Sequence, residues 1–249
     1  MKVITWNVNS VRVREPHIKN ILDTYNPSVL MLQETKVKNK QYPVIHDKYI
    51  AAIHGQKQTN GVSIHAKRRG SDIHYDPLSV CDNARIIAST YGPFRFVNVY
   101  VPNGAKDINA YIDKLVWMKE FIAYIMEERR KYKYMIIAGD FNVCPSDHDI
   151  YDPKAWAGSV SCTKSERQWY SDLLSIGFKD VMYDIFDSVE YTCWDYRNKA
   201  FEKDMGMRID HVLVSENLTP NVASYEVLKS FRSLDRPSDH APLLVTIEK

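Results

Sequence analysis

The sequence has 249 residues and a nearly balanced charge, with 33 basic and 31 acidic side chains. Its 45% apolar content and its 9 glycines are typical of a globular protein and exclude a disordered or fibrous chain. No apolar run approaches the roughly 20 residues that span a membrane. A strand-like segment begins within two residues of Met1, so we expect neither a membrane protein nor a leader peptide.

No linker-like or low-complexity stretch divides the chain, so we predict one domain over residues 1–249. The cysteines are far apart and lack the close spacing of a zinc site; they are Cys81, Cys144, Cys162 and Cys193. We expect reduced and mostly buried thiols, and therefore a cytoplasmic protein.

Six predicted strands carry amide, carboxylate, phenol or imidazole groups at one end. Four strands end at polar residues: residues 3–6 lead to Asn7, residues 29–32 to Glu34, residues 96–99 to Tyr100, and residues 135–137 to Asp140 and Asn142. Two strands begin after polar residues: Asp210 precedes residues 212–214, and Asp239 with His240 precedes residues 243–247. Each group alone is explained as a polar turn. If the six ends meet at one edge, they form a single polar crater on a rigid scaffold.

Three amphipathic helices are expected between the strands. The first is predicted to start near Glu15 and Pro16, and the third between a capping box of Thr163 with Glu166 and a stop at Gly177. The second is predicted over about residues 107–130 with a buried stripe of Ile108, Ile112, Leu115, Met118, Ile122 and Ile125. Two sheets packed face to face, with helices outside, accommodate these elements.

The crater has the groups that metal-assisted attack of water on a phosphodiester requires. Glu34 is the best candidate ligand for Mg²⁺, which takes only one or two protein carboxylates. Asn7 and Asp239 are its possible neighbours, and an ion pair of Glu34 with Lys36 is the structural alternative.

Asp140 and Asn142 are expected to orient the attacking water, and either Asp140 or His240 takes its proton. Asp210 is the natural partner that fixes the tautomer of His240. Tyr100 is either a donor to the phosphate or a packed tyrosine at a strand end.

Basic side chains near these motifs are candidates for a phosphate track. Arg12 and Arg14 follow the first motif, Lys36, Lys38 and Lys40 follow Glu34, and residues 67–69 end another strand-like run. Each cluster alone is more often a solvated loop. Nucleotide-binding, zinc-protease and serine-hydrolase motifs are absent from the sequence.

Seven sequence blocks occur in the order found in one family. They are WNVNS at 6–10, LQETK at 32–36, YVPNG at 100–104, GDFN at 139–142, YTCWDYR at 191–197, RID at 208–210 and SDHAP at 238–242. The chain resembles the bacterial exonuclease III and abasic-site endonuclease family of the endonuclease/exonuclease/phosphatase superfamily, which also holds deoxyribonuclease I.

The resemblance implies a DNase I-like α/β fold, a four-layer α-β-β-α sandwich of two packed mixed sheets flanked by helices. It implies a Mg²⁺-dependent DNA repair enzyme, with Mn²⁺ as a substitute, that acts as a monomer on double-stranded DNA. Such enzymes cut on the 5′ side of an abasic site, leave a 3′ hydroxyl, trim blocked 3′ ends and digest a strand from 3′ to 5′. The implied functional positions are Asn7, Glu34, Tyr100, Asp140, Asn142, Asp210, Asp239 and His240, with Asn7, Glu34, Asp140, Asn142 and Asp239 as the metal set.

The same resemblance assigns DNA contacts to Arg85 and Asn103, beside the Arg12 expected above. Relatives hold the extruded abasic sugar with apolar side chains between residues 191 and 209, where Trp194, Met207 and Ile209 are the candidates. Cys193 stands where relatives often carry an aromatic. The rival hypotheses are a phosphatase of phosphoinositides or sphingolipids with the same crater, and a catalytically silent DNA-binding module.

Overall fold

Two mixed β-sheets form the centre of the computed structural model, which describes residues 1–80 and 83–248. The first sheet contains β1 (Lys2–Asn7), β2 (Val29–Gln33), β3 (Ile50–His54), β4 (Val62–Ala66), β11 (Val222–Val227) and β12 (Leu243–Ile247). The second contains β5 (Ser71–Tyr75), β6 (Ile86–Tyr91), β7 (Phe94–Tyr100), β8 (Tyr134–Asp140), β9 (Phe178–Asp180) and β10 (Asp210–Ser215). The strand orders are β11-β12-β1-β2-β4-β3 and β5-β6-β7-β8-β10-β9.

Three α-helices cover the sheets: α1 (Val11–Tyr25), α2 (Ile108–Lys131) and α3 (Lys164–Ser175). The connections contain short 3₁₀ turns at Asn39–Gln41, Asp147–Asp149, Arg197–Lys199, Glu216–Asn221 and Lys229–Ser233, and a π turn at Val181–Ile185. None of the helices within the described ranges is long and apolar enough to cross a bilayer.

The apolar side chains divide into layers, as the alternation of side chains along a strand requires. Met31 of the first sheet and Ile136 of the second lie in the core between the sheets. Ile18 of α1 packs with Leu30 on the outer face of the first sheet. Helices α2 and α3 pack on the outer face of the second sheet through side chains such as Phe121. The predicted α-β-β-α sandwich is thereby confirmed.

The topology brings the polar strand ends to one edge. Parallel pairing of β7 with β8 sets Tyr100 opposite Asp140, and antiparallel pairing of β8 with β10 sets Asp140 opposite Asp210. In the other sheet β12 runs antiparallel to β1, so the residues before β12 lie beside the end of β1 at Asn7. The ends of strands from both sheets therefore surround one depression.

The bounds of α2 match the prediction, but its predicted buried stripe is wrong at the first two residues, since Ile108 and Ile112 are 68% and 50% exposed. Met118 and Ile125 of the stripe are buried as predicted. The buried face also carries Trp117 and Phe121 together with the charged Lys114 and Glu128. These two charges are paired inside the protein, with Glu166 and Arg95 respectively, and apolar periodicity does not detect paired charges.

The predicted start of α1 is wrong by four residues, since the helix begins at Val11. The backbone N–H groups of Ser10 and Val11 donate to the carbonyls of Glu34 and Thr35, which ties this end of the helix to the segment after β2. Pro16 therefore lies inside the helix. For α3 the capping box of Thr163 with Glu166 is present as predicted.

Cys144, Cys162 and Cys193 have free thiols, in agreement with the prediction, whereas Cys81 lies outside the described residues. Although Cys144 and Cys162 are separated in sequence, they lie in the same buried cluster.

Candidate active site

A cavity of about 910 Å³ opens at the edge where the strand ends meet. The predicted residues that line it are Glu34, Tyr100, Asn103, Asp140, Asn142, Met207, Ile209, Asp239 and His240. Glu34 from the first sheet and His240 from the loop before β12 therefore face the same pocket, as the crater hypothesis requires.

Asn7 joins two of the carboxylates. Its Nδ2 donates to Glu34 Oε1 and to Asp140 Oδ2, both at 2.9 Å. Its Oδ1 accepts from the backbone N–H of Asn9 at 3.0 Å. Asn7 therefore faces the carboxylates with its donor nitrogen. In this orientation Asn7 positions Glu34 and Asp140, and to bind a metal ion it would have to turn its oxygen toward the pocket.

Glu34 is also paired with a base. Lys36 Nζ lies 2.7 Å from Glu34 Oε2 and donates to Asn9 Oδ1 at 2.6 Å. Asn9 Nδ2 in turn donates to Asp239 Oδ1 at 3.1 Å. Burial opposes ionisation of Glu34, but Lys36 and the Asn7 hydrogen bond outweigh it and lower the pKa of Glu34. The ion pair considered as an alternative thus forms, within the same pocket.

His240 is held by a buried carboxylate. Its Nδ1 donates to Asp210 Oδ2 at 2.7 Å, and Thr192 Oγ1 donates to the same oxygen at 2.6 Å. Burial disfavours the imidazolium, but the Asp210 charge outweighs it and raises the pKa of His240 well above its ordinary value. The predicted partnership of Asp210 with His240 is therefore present, and it keeps the ring protonated.

The pKa of Asp140 is also raised, but burial rather than a charged partner causes the shift. Burial disfavours its charged form, and although His240 opposes that effect, the pKa of Asp140 is raised to about 7. His240 Nε2 lies 3.9 Å from Asp140 Oδ2. A carboxylate and an imidazole with displaced pKa values in one cleft are typical of an acid–base site.

Asn142 lies in a turn directly after β8 with a positive φ of 49°. Its Nδ2 donates to the Val101 carbonyl, and its Oδ1 accepts from Asn103 Nδ2, both at 3.0 Å. Both ends of the amide are thus occupied, so Asn142 could bind a cation only by releasing Asn103. Its present contacts are those of a residue that holds the pocket wall.

Tyr100 is nearly buried, and its hydroxyl faces Glu34. Burial, together with the charges of Glu34 and Asp140, raises the pKa of this phenol well above 10, so it stays a donor. The guanidinium of Arg85 lies 4.8 Å from the centre of its ring, and Arg85 Nη1 donates to the Tyr100 carbonyl at 3.2 Å. Arg85 and Asn103 also line an adjoining groove, next to the catalytic pocket.

The donor set fits a hard divalent cation. Carboxylates of Glu34, Asp140 and Asp239 face the pocket, which exceeds the one or two that Mg²⁺ requires. Asp210 Oδ1 is buried without a hydrogen-bond partner among the described residues, so the site has oxygen acceptors to spare. Ligand atoms of Asp140, Asp210 and His240 all lie within 4.8 Å of one another. The pocket can therefore hold a metal ion.

One wall of the pocket is apolar. Cys193, Met207 and Ile209 line it, and Cys193 pairs with Met207 through an isolated β-bridge. Trp194 does not line it, which corrects the expectation for that residue. Because side chains alternate, the Trp194 ring points into the core, packs edge-on against Phe201 at 5.1 Å and is 1% exposed.

Two parts of the predicted phosphate track, Arg14 and residues 67–69, do not lie where DNA would pass the pocket. Arg14 is buried and donates to the carbonyls of Asn9 and Pro237 and to the Tyr196 hydroxyl, so it is structural. Residues 67–69 follow the end of β4 that pairs with the start of β2, at the edge opposite the pocket. Arg12 is exposed outside the pocket, where its Nη2 donates to the Gln41 carbonyl at 3.3 Å.

Several site residues carry no independent sequence signal. Asn9, Thr192 and Ser238 occur in the sequence only as members of the matched blocks, yet each forms a hydrogen bond to a functional residue, through its side chain or its backbone.

Lys114 and Glu166 form a fully buried pair behind the pocket, and Lys114 Nζ donates to the Asn142 carbonyl at 2.8 Å. Tyr151 and Trp156 add aromatic side chains to the pocket.

Comparisons with known proteins agree with this geometry. The model of the Endonuclease/Exonuclease/phosphatase family matches residues 4–240. Exodeoxyribonuclease III of Haemophilus influenzae is 31% identical, with 98% of each chain covered. A 3′ phosphatase from Neisseria, solved with a product DNA hairpin, superposes with a TM-score of 0.96 at 34% identity, and an AP endonuclease from Archaeoglobus fulgidus with 0.94 at 29% identity. All of this chain and of both those chains is covered.

Proposed function

Because the chain belongs to the endonuclease/exonuclease/phosphatase family, we propose that it is a Mg²⁺-dependent DNA repair nuclease. It cleaves duplex DNA on the 5′ side of abasic sites, leaves a 3′ hydroxyl and trims blocked 3′ ends in the 3′ to 5′ direction. Mn²⁺ substitutes for Mg²⁺. The family and the nuclease class predicted from the sequence are confirmed by its relatives, exodeoxyribonuclease III above all.

The observation that carries the proposal is the meeting of two different systems in one pocket. A carboxylate cluster of Glu34 and Asp140 is held by Asn7, and an imidazolium of His240 is held by Asp210. The first suits a divalent cation, and the second suits a phosphate oxygen. A polar turn with a purely structural role requires neither the carboxylate cluster nor the buried imidazolium.

Glu34, Asp140 and Asp239 are proposed to hold the metal, which as a Lewis acid neutralises charge on the phosphate. Asp140 takes the proton of the attacking water, since a pKa of about 7 lets its ionised form accept a proton at neutral pH. His240 is kept protonated by Asp210 and donates to a non-bridging phosphate oxygen. Of the two assignments left open by the sequence, the pKa shifts therefore favour Asp140 as the base.

Tyr100 and Arg85 are proposed to donate to phosphate oxygens, and Asn103 is proposed to contact the strand in the adjoining groove. The wall of Cys193, Met207 and Ile209 accommodates the abasic sugar, which leaves the helix cheaply because it has no stacked base. This apolar wall favours a nucleic-acid substrate over an inositol phosphate headgroup.

The chain is proposed to act as one domain over residues 1–249, as a monomer on double-stranded DNA in the cytoplasm, and not at a membrane. Because its proposed substrate is DNA, we expect DNA to be its partner and the nucleoid to be its location.

A 5′-labelled duplex with one abasic analogue, and a nicked duplex with a 3′ phosphate, test the proposal in the presence of Mg²⁺. We expect a cut beside the lesion and release of the 3′ phosphate, both stopped by a chelator. Asp140→Asn is expected to reduce cleavage about 10²- to 10⁴-fold, because it removes the proton acceptor. Glu216→Gln removes an exposed charge after β10, at the strand end remote from Asp210, and is the matched control.

Loss of cleavage in Asp140→Asn with retained DNA binding separates an enzyme from a silent binding module. If neither duplex is processed but inositol phosphates release phosphate, the lipid-phosphatase hypothesis replaces the proposal.

A further inference from the structure

Cys193 lies on the apolar wall of the pocket beside two ionisable side chains. Ligand atoms of Cys193, Asp239 and His240 all lie within 4.8 Å of one another. The backbone holds this arrangement, because Cys193 pairs with His240 through a β-bridge and the Trp194 N–H donates to the Asp239 carbonyl at 2.9 Å. Sulfur, carboxylate oxygen and imidazole nitrogen therefore converge on one point.

The contacts of His240 and Asp239 indicate which of their atoms face the proposed site. His240 Nδ1 is engaged by Asp210, which leaves Nε2 as the coordinating nitrogen. The side-chain donors to Asp239, from Asn9, Tyr196 and Ser238, all go to its Oδ1. Oδ2 is therefore the oxygen left for a cation.

This set differs from the one assigned to Mg²⁺. Mg²⁺ takes oxygen ligands, whereas thiolate and imidazole select softer borderline cations, of which Zn²⁺ is the common one. Three protein ligands with a carboxylate behind the histidine are the usual surroundings of a Zn²⁺ ion that keeps one open position.

We propose that Cys193, Asp239 and His240 form a Zn²⁺ site inside the catalytic pocket, and that Zn²⁺ bound there blocks phosphodiester hydrolysis. Binding transfers two protons to solvent, the thiol proton of Cys193 and the Nε2 proton of the His240 imidazolium, and leaves a Zn–thiolate and a Zn–imidazole bond with no oxidation. Zn²⁺ occupies His240 Nε2, which is then lost as a donor to phosphate, and it draws Asp239 away from the Mg²⁺ set. The inhibition rests on the proposed nuclease function, whereas the binding does not.

The binding is tested by titrating Co²⁺, as a spectroscopic probe of the Zn²⁺ site, into the metal-free, reduced protein. We expect a thiolate-to-Co²⁺ charge-transfer band that saturates at one Co²⁺ per chain and disappears when Zn²⁺ is added. The band should be lost in Cys193→Ala and kept in Cys162→Ala, which removes a thiol that is not among the three proposed ligands. Absence of the band in the wild-type protein, or its survival in Cys193→Ala, overturns the proposal.

A second measurement needs no variant. Alkylation of Cys193 by N-ethylmaleimide is measured by mass spectrometry of the labelled peptide. Zn²⁺ should slow this alkylation about tenfold or more, whereas Mg²⁺ should not slow it. Equal rates with and without Zn²⁺ overturn the proposal.

Inhibition is measured as the Zn²⁺ concentration that halves the rate of Mg²⁺-dependent cleavage, with each variant compared with its own rate in the absence of Zn²⁺. This concentration should rise at least about tenfold in Cys193→Ala, since a thiolate ligand is lost. Binding of Co²⁺ without inhibition of a measurable nuclease overturns the inhibitory part, and binding without any nuclease activity points instead to a failure of the proposed function.

Discussion

The buried pair of Lys114 and Glu166 supports the pocket from behind, and its removal is expected to weaken both the fold and catalysis. Lys114 Nζ uses three acceptors: Glu166 Oε1 at 2.5 Å, the Asn142 carbonyl at 2.8 Å and the Asn103 carbonyl at 3.3 Å. Neither side chain is exposed. Lys114 thus joins helices α2 and α3 to the loop that carries Asn142.

Lys114→Met removes one of the four donors to the Glu166 carboxylate and the Lys114 donor to the carbonyls of Asn142 and Asn103. Breaking a buried ion pair by removing one partner costs about 3–5 kcal/mol. Glu166 keeps three donors, from the Ser161 N–H and from the N–H and hydroxyl of Thr163, so we expect a loss near 3 kcal/mol. The kcat for abasic-site cleavage should also fall, because Asn142 and Asn103 lose their backbone anchor.

Urea unfolding and steady-state cleavage measure the two effects. In Lys114→Met/Glu166→Gln the carboxylate charge is also removed, so the double variant should lose less than the sum of the two single losses. Lys119→Met, at an exposed lysine of the same helix, should stay within about 0.5 kcal/mol. A Lys114→Met protein that is as stable as Lys119→Met, with unchanged kcat, refutes the reasoning.

Three further substitutions test other parts of the account. Asp210→Asn removes the charge that raises the pKa of His240, so the pH–rate profile should shift and kcat should fall about 10²- to 10⁴-fold, and an unchanged profile would contradict the pairing. Burial lowers the pKa of His65 from 6.5 to about 4. The unfolded chain therefore takes up the His65 proton first, and the contribution of His65 to wild-type stability should fall by about 3 kcal/mol between pH 7 and pH 4. His65→Gln should flatten that slope in urea titrations. A Cβ at Gly139, where φ is +150°, would lie 1.9 Å from the Val99 carbonyl oxygen, so thermal unfolding of Gly139→Ala should show a loss of at least about 2 kcal/mol.

Much of the fold was predictable because apolar patterns and caps are local signals. Residues 135–137 lie within β8, and the capping box of Thr163 begins α3. The buried face of α2 was predictable only in part, since the burial of Lys114 and Glu128 depends on their finding partners from other elements. Likewise, the start of α1 is set by bonds to the distant carbonyls of Glu34 and Thr35.

The acidic and imidazole positions of the site were predictable from strand ends, because strand direction determines which ends share an edge. The orientation of the amide and aromatic side chains was not predictable. Asn7 and Asn142 lie at the pocket as expected, but hydrogen bonds to partners far along the chain direct their amides toward protein groups. Trp194 belongs to a matched sequence block, yet alternation along the chain turns its ring into the core while Cys193 faces the pocket.

The location of the catalytic metal tests the central claim most directly. A crystal grown with Mn²⁺ and a duplex carrying an abasic analogue gives that location in an anomalous difference map. We predict a peak about 2 Å from a Glu34 carboxylate oxygen, with the phosphate 5′ to the lesion between the ion and His240. A bound duplex whose phosphate contacts neither side chain, or an ion held only outside this pocket, contradicts it.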